Sequence, residues 1–217
     1  MMTCCRSGIS DATEHQFSEK RAAQDLQQYR AKGPGPTTRL LLAGLTKAAP
    51  AHGRLLDVGS GVGAVTFELL NQGMTTAVGV DLSSAYVAAA SDEAARLGRS
   101  ESARFIHGDF LDLASGLPSA DVVTLDRVTC CYPDHERLLD ESLRHADRCI
   151  ALSYPRDVWY VRFWVGVENL GRQIRRNSFR AFVHSAAAME DRIRRTGFQL
   201  LSRSRTWTWC ADVYVRS

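Results

Sequence analysis

From Arg54 onward, short apolar runs alternate with longer amphipathic stretches, and this alternation constrains the fold more than any other feature. The runs are RLLDVG (54–59), TAVGVD (76–81), ARFIHGD (103–109), ADVVTLD (120–126) and RCIALSY (148–154). Between them lie GAVTFELLNQG, SSAYVAAASDEAARLG and DHERLLDESLRHA. Strand-length apolar runs separated by helix-length amphipathic segments specify βαβ units, hence an α/β fold with a doubly wound, mostly parallel sheet. The C-terminal part departs from this rhythm. After a helix near 185–196, GFQLLSRSR and TWTWCADVYVRS read as a β-hairpin, a common antiparallel end for such sheets.

Upstream of Arg54, two helices are expected at 17–31 and 37–48, divided by GPGP, where proline removes donors and glycine loosens the backbone. They form a helical cap over 17–50, preceded by a flexible N-terminus at 1–16. The remainder, 17–217, is of a size for one domain. The net charge of +3 is too small to argue for nucleic acid. No apolar stretch is long enough to span a bilayer, and the N-terminus lacks the apolar core of a secretory signal. The six cysteines form no CxxC and no metal-ligand set, which points to a reducing cytoplasm and no metal.

The densest chemical signal is LLDVGSGVGAVTFELL. A strand ends in Asp57, and Gly59, Ser60, Gly61 and Gly63 follow before a helix begins. That loop lies at the edge where open α/β sheets bind ligands. The spacing is GxGxG, not the GxGxxG of dinucleotide sites, which weighs against an NAD(P)-dependent oxidoreductase. Asp81 and Leu82 stand at the end of the next strand, where a carboxylate can accept from two ribose hydroxyls. The third run ends in Asp109 and Phe110, an acid for an exocyclic amine and a ring that could pack on adenine. Three successive strands thus deliver an acid to one rim.

This ordered set resembles the class I S-adenosylmethionine (SAM)-dependent methyltransferases. The resemblance implies a Rossmann-like, seven-stranded sheet with the final hairpin inserted antiparallel. It also implies that Asp57 and the 59–63 loop cradle the methionine portion, that Asp81 holds the ribose, and that Asp109 with Phe110 frames the adenine. The strand ending at Asp126 then opens toward the sulfonium, so LDRVTCCYPDH (125–135) begins at the reaction site. Its candidates for catalysis are Asp126, Arg127, Tyr132 and His135, with Arg127 suited to orienting an anionic substrate. Cys130 and Cys131 read as small buried hydrophobes before they read as reactive thiols. Asp134 is a helix N-cap in prospect. A module that binds SAM without catalysis is the alternative reading.

After the fifth strand comes an insertion, 157–184, with a helix expected at 157–176. Trp159, Phe163, Val167, Leu170 and Ile174 share one face of it. That face suits packing on the core, a lid over a large apolar substrate, or peripheral contact with a membrane. Arg172, Arg175, Arg176 and Arg180 follow as a basic cluster. FSEKRAAQDLQQYRAKGP at the start, with Tyr132–Pro133 after the fourth strand, looks like the magnesium-protoporphyrin O-methyltransferase branch. That branch carries a histidine before its Tyr-Pro, where this chain has Cys131. The likeness implies a small-molecule acceptor that is large, flat or carboxylated, such as a porphyrin.

Overall fold

The structure, a computed structural model, describes residues 16–48 and 52–217. The flexible segment expected at 1–16 therefore falls almost wholly outside the described residues. Two helices, α1 (Glu19–Lys32) and α2 (Pro36–Ala48), precede the sheet. Then follow β1 (Arg54–Val58), α3 (Ala64–Asn71), β2 (Thr76–Asp81), α4 (Ser84–Arg96), β3 (Ala103–His107) and a single turn, α5 (Phe110–Leu113). The second half comprises β4 (Ala120–Asp126), α6 (His135–His145), β5 (Ala146–Pro155), α7 (Trp159–Ile174), α8 (Ala186–Arg195), β6 (Phe198–Arg205) and β7 (Trp209–Arg216).

The strands form one seven-stranded sheet in the order β3-β2-β1-β4-β5-β7-β6. β1 pairs in parallel with both β2 and β4, and β5 pairs antiparallel with β7. The chain runs outward from β1 to β3, then returns to lay β4 on the other side of β1. That reversal opens a crevice beyond the C-terminal ends of β1 and β4. Alternation along the strands fills both faces. Leu56, Val58, Val123, Leu125 and Ile150 pack with Leu138, Leu139 and Ile193 of α6 and α8. Leu55, Val122, Cys149 and Ala151 pack on the other side, with Leu41 and Leu45 of α2 and Phe67 of α3.

Capping explains where several helices begin. The Ser83 and Ser185 hydroxyls accept from the amides of Tyr86 and Ala188, and Asp134 accepts from Arg137 N as expected. The N-terminal cap is anchored beside the glycine loop. Ala22 and Leu26 of α1 cluster with Val62 and Tyr86, and Ser83 Oγ donates to the Phe17 carbonyl at 2.8 Å. Arg30 of α1 reaches buried Glu93 of α4, which also accepts from Arg96. Hydrogen bonds from Arg96, then Arg30, hold the Glu93 carboxyl down at about 2.

At the other edge, Asp212 of β7 is fully buried and takes both arms of Arg203, at 2.9 and 2.7 Å. The Tyr154 and Tyr214 hydroxyls also donate to it, and Arg203 pairs with Glu190 of α8. This network locks the hairpin to β5. The insertion differs from one of the expected arrangements. The face of α7 bearing Trp159, Phe163, Val167, Leu170 and Ile174 is exposed, and only Val161 of the helix is buried. A repeat of apolar residues specifies that a helix has an apolar face, not which way it points.

Candidate active site

A cavity of about 1250 Å³ occupies the crevice at the β1/β4 reversal. Its floor is the loop after β1, where Gly59, Gly61 and Gly63 have φ of 67°, 54° and 81°. Side chains are strained in that left-handed region, and glycine is not. A Cβ on Gly59 would also lie 2.3 Å from Val128 Cγ2 in the loop after β4. Most of the loop's amides are already engaged. Gly59 and Ser60 donate to the Val80 carbonyl, Gly61 to Asp81 Oδ2 and Gly63 to the Ser60 carbonyl. The loop therefore offers a ligand close backbone approach rather than a ring of free donors. Gly59→Ala is expected to cost roughly 2–3 kcal/mol in urea denaturation, from left-handed strain plus the clash with Val128. A transition at the wild-type midpoint would show that the two loops can part freely.

Three carboxylates line this end of the cavity. Asp57 is 1% exposed and accepts from Thr66 Oγ1 at 2.9 Å and Thr124 Oγ1 at 2.7 Å. Burial pushes its carboxyl up to about 7, against the two hydroxyl hydrogen bonds, and the nearby Asp126 and Asp81 push it the same way as burial. Asp81 is oriented by the amides of Gly61 and Ser83, both at 2.8 Å. Asp126 accepts from Thr38 Oγ1 at 2.6 Å and from Ser153 Oγ. Leu82 also lines the cavity. Ser60 Oγ, in the same wall, is buried without a hydrogen-bond partner among the described residues, as is Thr129 Oγ1.

The loop after β4 sorts the remaining candidates. Arg127 is one of two non-glycine residues with positive φ among the described residues, at 64°. Its amide is held by Ser153, and its guanidinium lies over the Trp209 ring, 5.1 Å from the centroid, at the cavity wall. A strained residue over-determined by its surroundings is typical of a working site. Tyr132 lines the cavity, yet its hydroxyl donates to Asp109 Oδ1 at 2.9 Å. Burial raises that phenol above its ordinary value, so it is no base near neutral pH.

His135 corrects the sequence expectation more plainly. It lies outside the cavity lining, in the first turn of α6, stacked on His184 with ring centroids 3.6 Å apart. The N-cap at Asp134 fixes that turn, and the turn carries the ring away from the site. Phe110 is in the cavity lining, although it is 2% exposed and edge-on to His145, so most of the ring packs in the core. Asp109 itself caps α5 and is fastened by Tyr132. Cys130 and Cys131 both line the cavity, with sulfurs 3.8 Å apart. Their shared hydrogen bond lowers the Cys130 thiol and raises that of Cys131.

The outer half of the cavity is aromatic. Trp159, Tyr160, Phe163 and Trp164 come from α7, and Trp207 and Trp209 from the hairpin turn. Arg172 joins this wall, its guanidinium over Phe179 at 5.5 Å, while Arg175, Arg176 and Arg180 stay outside the lining. TWTWC reads in sequence only as a strand. The antiparallel pairing of Trp209 with Pro155 brings it to the site. Thr38, Thr66, Thr124 and Ser153 were equally invisible, because nothing local marks a hydroxyl as a carboxylate's distant partner.

Sheet order, switch-point cavity and acid-lined glycine loop define the fold of the class I SAM-dependent methyltransferases, and a methyltransferase-domain family model matches residues 56–148. Solved structures carry the likeness further. Magnesium protoporphyrin IX methyltransferase from Synechocystis with bound S-adenosylhomocysteine superposes with a TM-score of 0.72 at 21% identity, covering 96% of this chain and 100% of that one. The same enzyme with bound SAM gives 0.69 at 20% identity, over 96% and 97%. An O-methyltransferase family protein from Burkholderia thailandensis gives 0.71 at 14% identity, over 94% of this chain and 63% of that one. The SAM expected from the sequence agrees with the molecules held in the first two. No curated protein matches the chain in sequence.

Proposed function

We propose that this protein is a SAM-dependent methyltransferase acting on a carboxylate of a large, flat aromatic small molecule. The observation that carries the reading is the switch-point cavity itself, with three acids and a left-handed glycine loop at one end and an arginine among aromatic rings at the other. SAM is doubly cationic at its ammonium and sulfonium, and Asp57, Asp81 and Asp126 supply a negative field where it would sit. The left-handed glycines let the backbone come close, so the residues present fit the cofactor. Bound SAM supplies an electrophilic methyl group.

For the acceptor, the chain's own task is positioning. Arg127, stiffened by its backbone and laid on Trp209, presents donors suited to a carboxylate. The tryptophans of α7 and the hairpin suit a broad planar ring system. A carboxylate is already nucleophilic when ionised and needs no base, which accords with a Tyr132 bound to Asp109 and a His135 turned away. A volume of about 1250 Å³ exceeds that of a typical single-ligand pocket and leaves room for cofactor and acceptor together.

Isothermal titration with SAM and S-adenosylhomocysteine tests the first half, with Asp81→Ala expected to weaken both at least tenfold. No binding to the wild type would end the reading. Assays with a magnesium porphyrin dicarboxylate and a small aromatic carboxylate test the second half. Arg127→Ala should raise the acceptor KM about tenfold or more while leaving SAM affinity unchanged. SAM binding with no methylated product from any carboxylate would favour a non-catalytic module instead.

A further inference from the structure

We propose that the outward face of α7, joined by the β6–β7 turn, docks on an anionic lipid surface. The helix is amphipathic in the inverted sense for a packed element. Val161 and Val165 face the body of the protein, while the longer apolar stripe faces away. Along that stripe Trp159, Phe163, Val167, Leu170 and Ile174 are 79, 67, 46, 58 and 75% exposed. Trp207, at the tip of the hairpin turn and 77% exposed, stacks near Tyr160, which meets Trp159 edge-on. The patch therefore spans two elements and runs to the rim of the cavity, whose lining includes Trp159, Phe163 and Trp207. Contiguous apolar surface of this kind marks an interaction site.

The rim charges identify the partner. Arg175, Arg176 and Arg205 have no ion pair among the described residues, whereas Asp157 and Glu168 are already paired with Arg162 and Arg172. All the unpaired charge bordering the patch is thus positive, complementary to anionic headgroups. A second copy of the chain would bring like charges together at the edge of the contact. Tryptophan at one end and arginine at the other suit the boundary between headgroups and acyl chains. At about 1.5 Å per residue the stripe is roughly 22 Å long and would lie flat. No helix among the described residues is long and apolar enough to cross a membrane. Docking in this pose would open the cavity toward the lipid, so that a flat aromatic acceptor carrying a carboxylate would enter from the headgroup boundary.

Vesicle flotation of the full chain tests the proposal, using phosphatidylcholine alone and phosphatidylcholine with added phosphatidylglycerol. Binding is expected to the mixed vesicles and to weaken as salt rises. Leu170→Ser with Ile174→Ser, neither of which lines the cavity, should lower it at least about tenfold. Arg175→Gln with Arg176→Gln should lower it about tenfold on anionic vesicles and leave the weak neutral binding unchanged. SAM titration, read separately, should be unaltered in both pairs. The proposal is overturned if no vesicle binds the chain or if the serine pair binds as well as the wild type. It is equally overturned if sedimentation shows a lipid-free dimer that Ile174→Ser dissolves.

Discussion

Asp57→Asn is expected to be more stable than the wild type above pH 7 and, at the same time, to bind SAM poorly. The Asp57 carboxyl titrates near 7 in the fold against 3.8 for the free side chain, with burial as the main cause. For an acid raised on folding, the stabilising contribution is complete below the unfolded value and is lost as pH rises through the folded one. Between pH 4 and pH 7 the wild type should therefore lose roughly 4 kcal/mol through this group alone. Asparagine keeps the shape, accepting from one of Thr66 and Thr124 and donating to the other, but cannot ionise, so its stability should stay flat over that window. Urea denaturation at pH 4.5 and 8 on both proteins checks this, and parallel pH profiles would defeat it. A cationic ligand nearby inverts the balance by favouring the ionised form. SAM affinity of the wild type should then fall by up to about tenfold per pH unit below 7, with a proton released on binding. The variant should show neither effect in calorimetry run in two buffers.

The contrast between a destabilising charge and a useful one explains which parts of the molecule could be read from the sequence. β2 and β4 coincide with the runs 76–81 and 120–126, because a strand buried on both faces must be apolar throughout and must end where polar residues begin. The glycine loop was legible for a similar reason: three left-handed residues within five positions leave few alternatives to glycine. The candidate catalytic residues were legible only as neighbours in sequence. Arg127 and Tyr132 line the cavity, but Tyr132 meets Asp109 and His135 meets His184, partners 23 and 49 positions away by their numbers. Such pairings are decided by how β3, β4 and the segment after α7 come together. The direction of the α7 apolar face belongs to the same class. Its period is local, whereas its orientation depends on distant contacts such as the burial of Val161 against the body of the protein.

Arg203→Met should be among the most destabilising single changes. Removing the guanidinium leaves Asp212, fully buried, with only the Tyr154 and Tyr214 hydroxyls as donors. Breaking a buried pair costs about 3–5 kcal/mol, and the lower part of that range applies because Arg203 is itself a quarter exposed. Replacing both partners, Arg203→Met with Asp212→Leu, removes the uncompensated charge and should recover much of the loss. Equal losses for single and double variants would mean that packing, not charge, holds the hairpin. The network also has a reach beyond stability. β7 carries Trp209 to the cavity and so supports the Arg127 guanidinium. The single variant should therefore weaken acceptor binding before SAM binding, because the glycine loop, Asp57 and Asp81 lie on the far side of β4 from the hairpin.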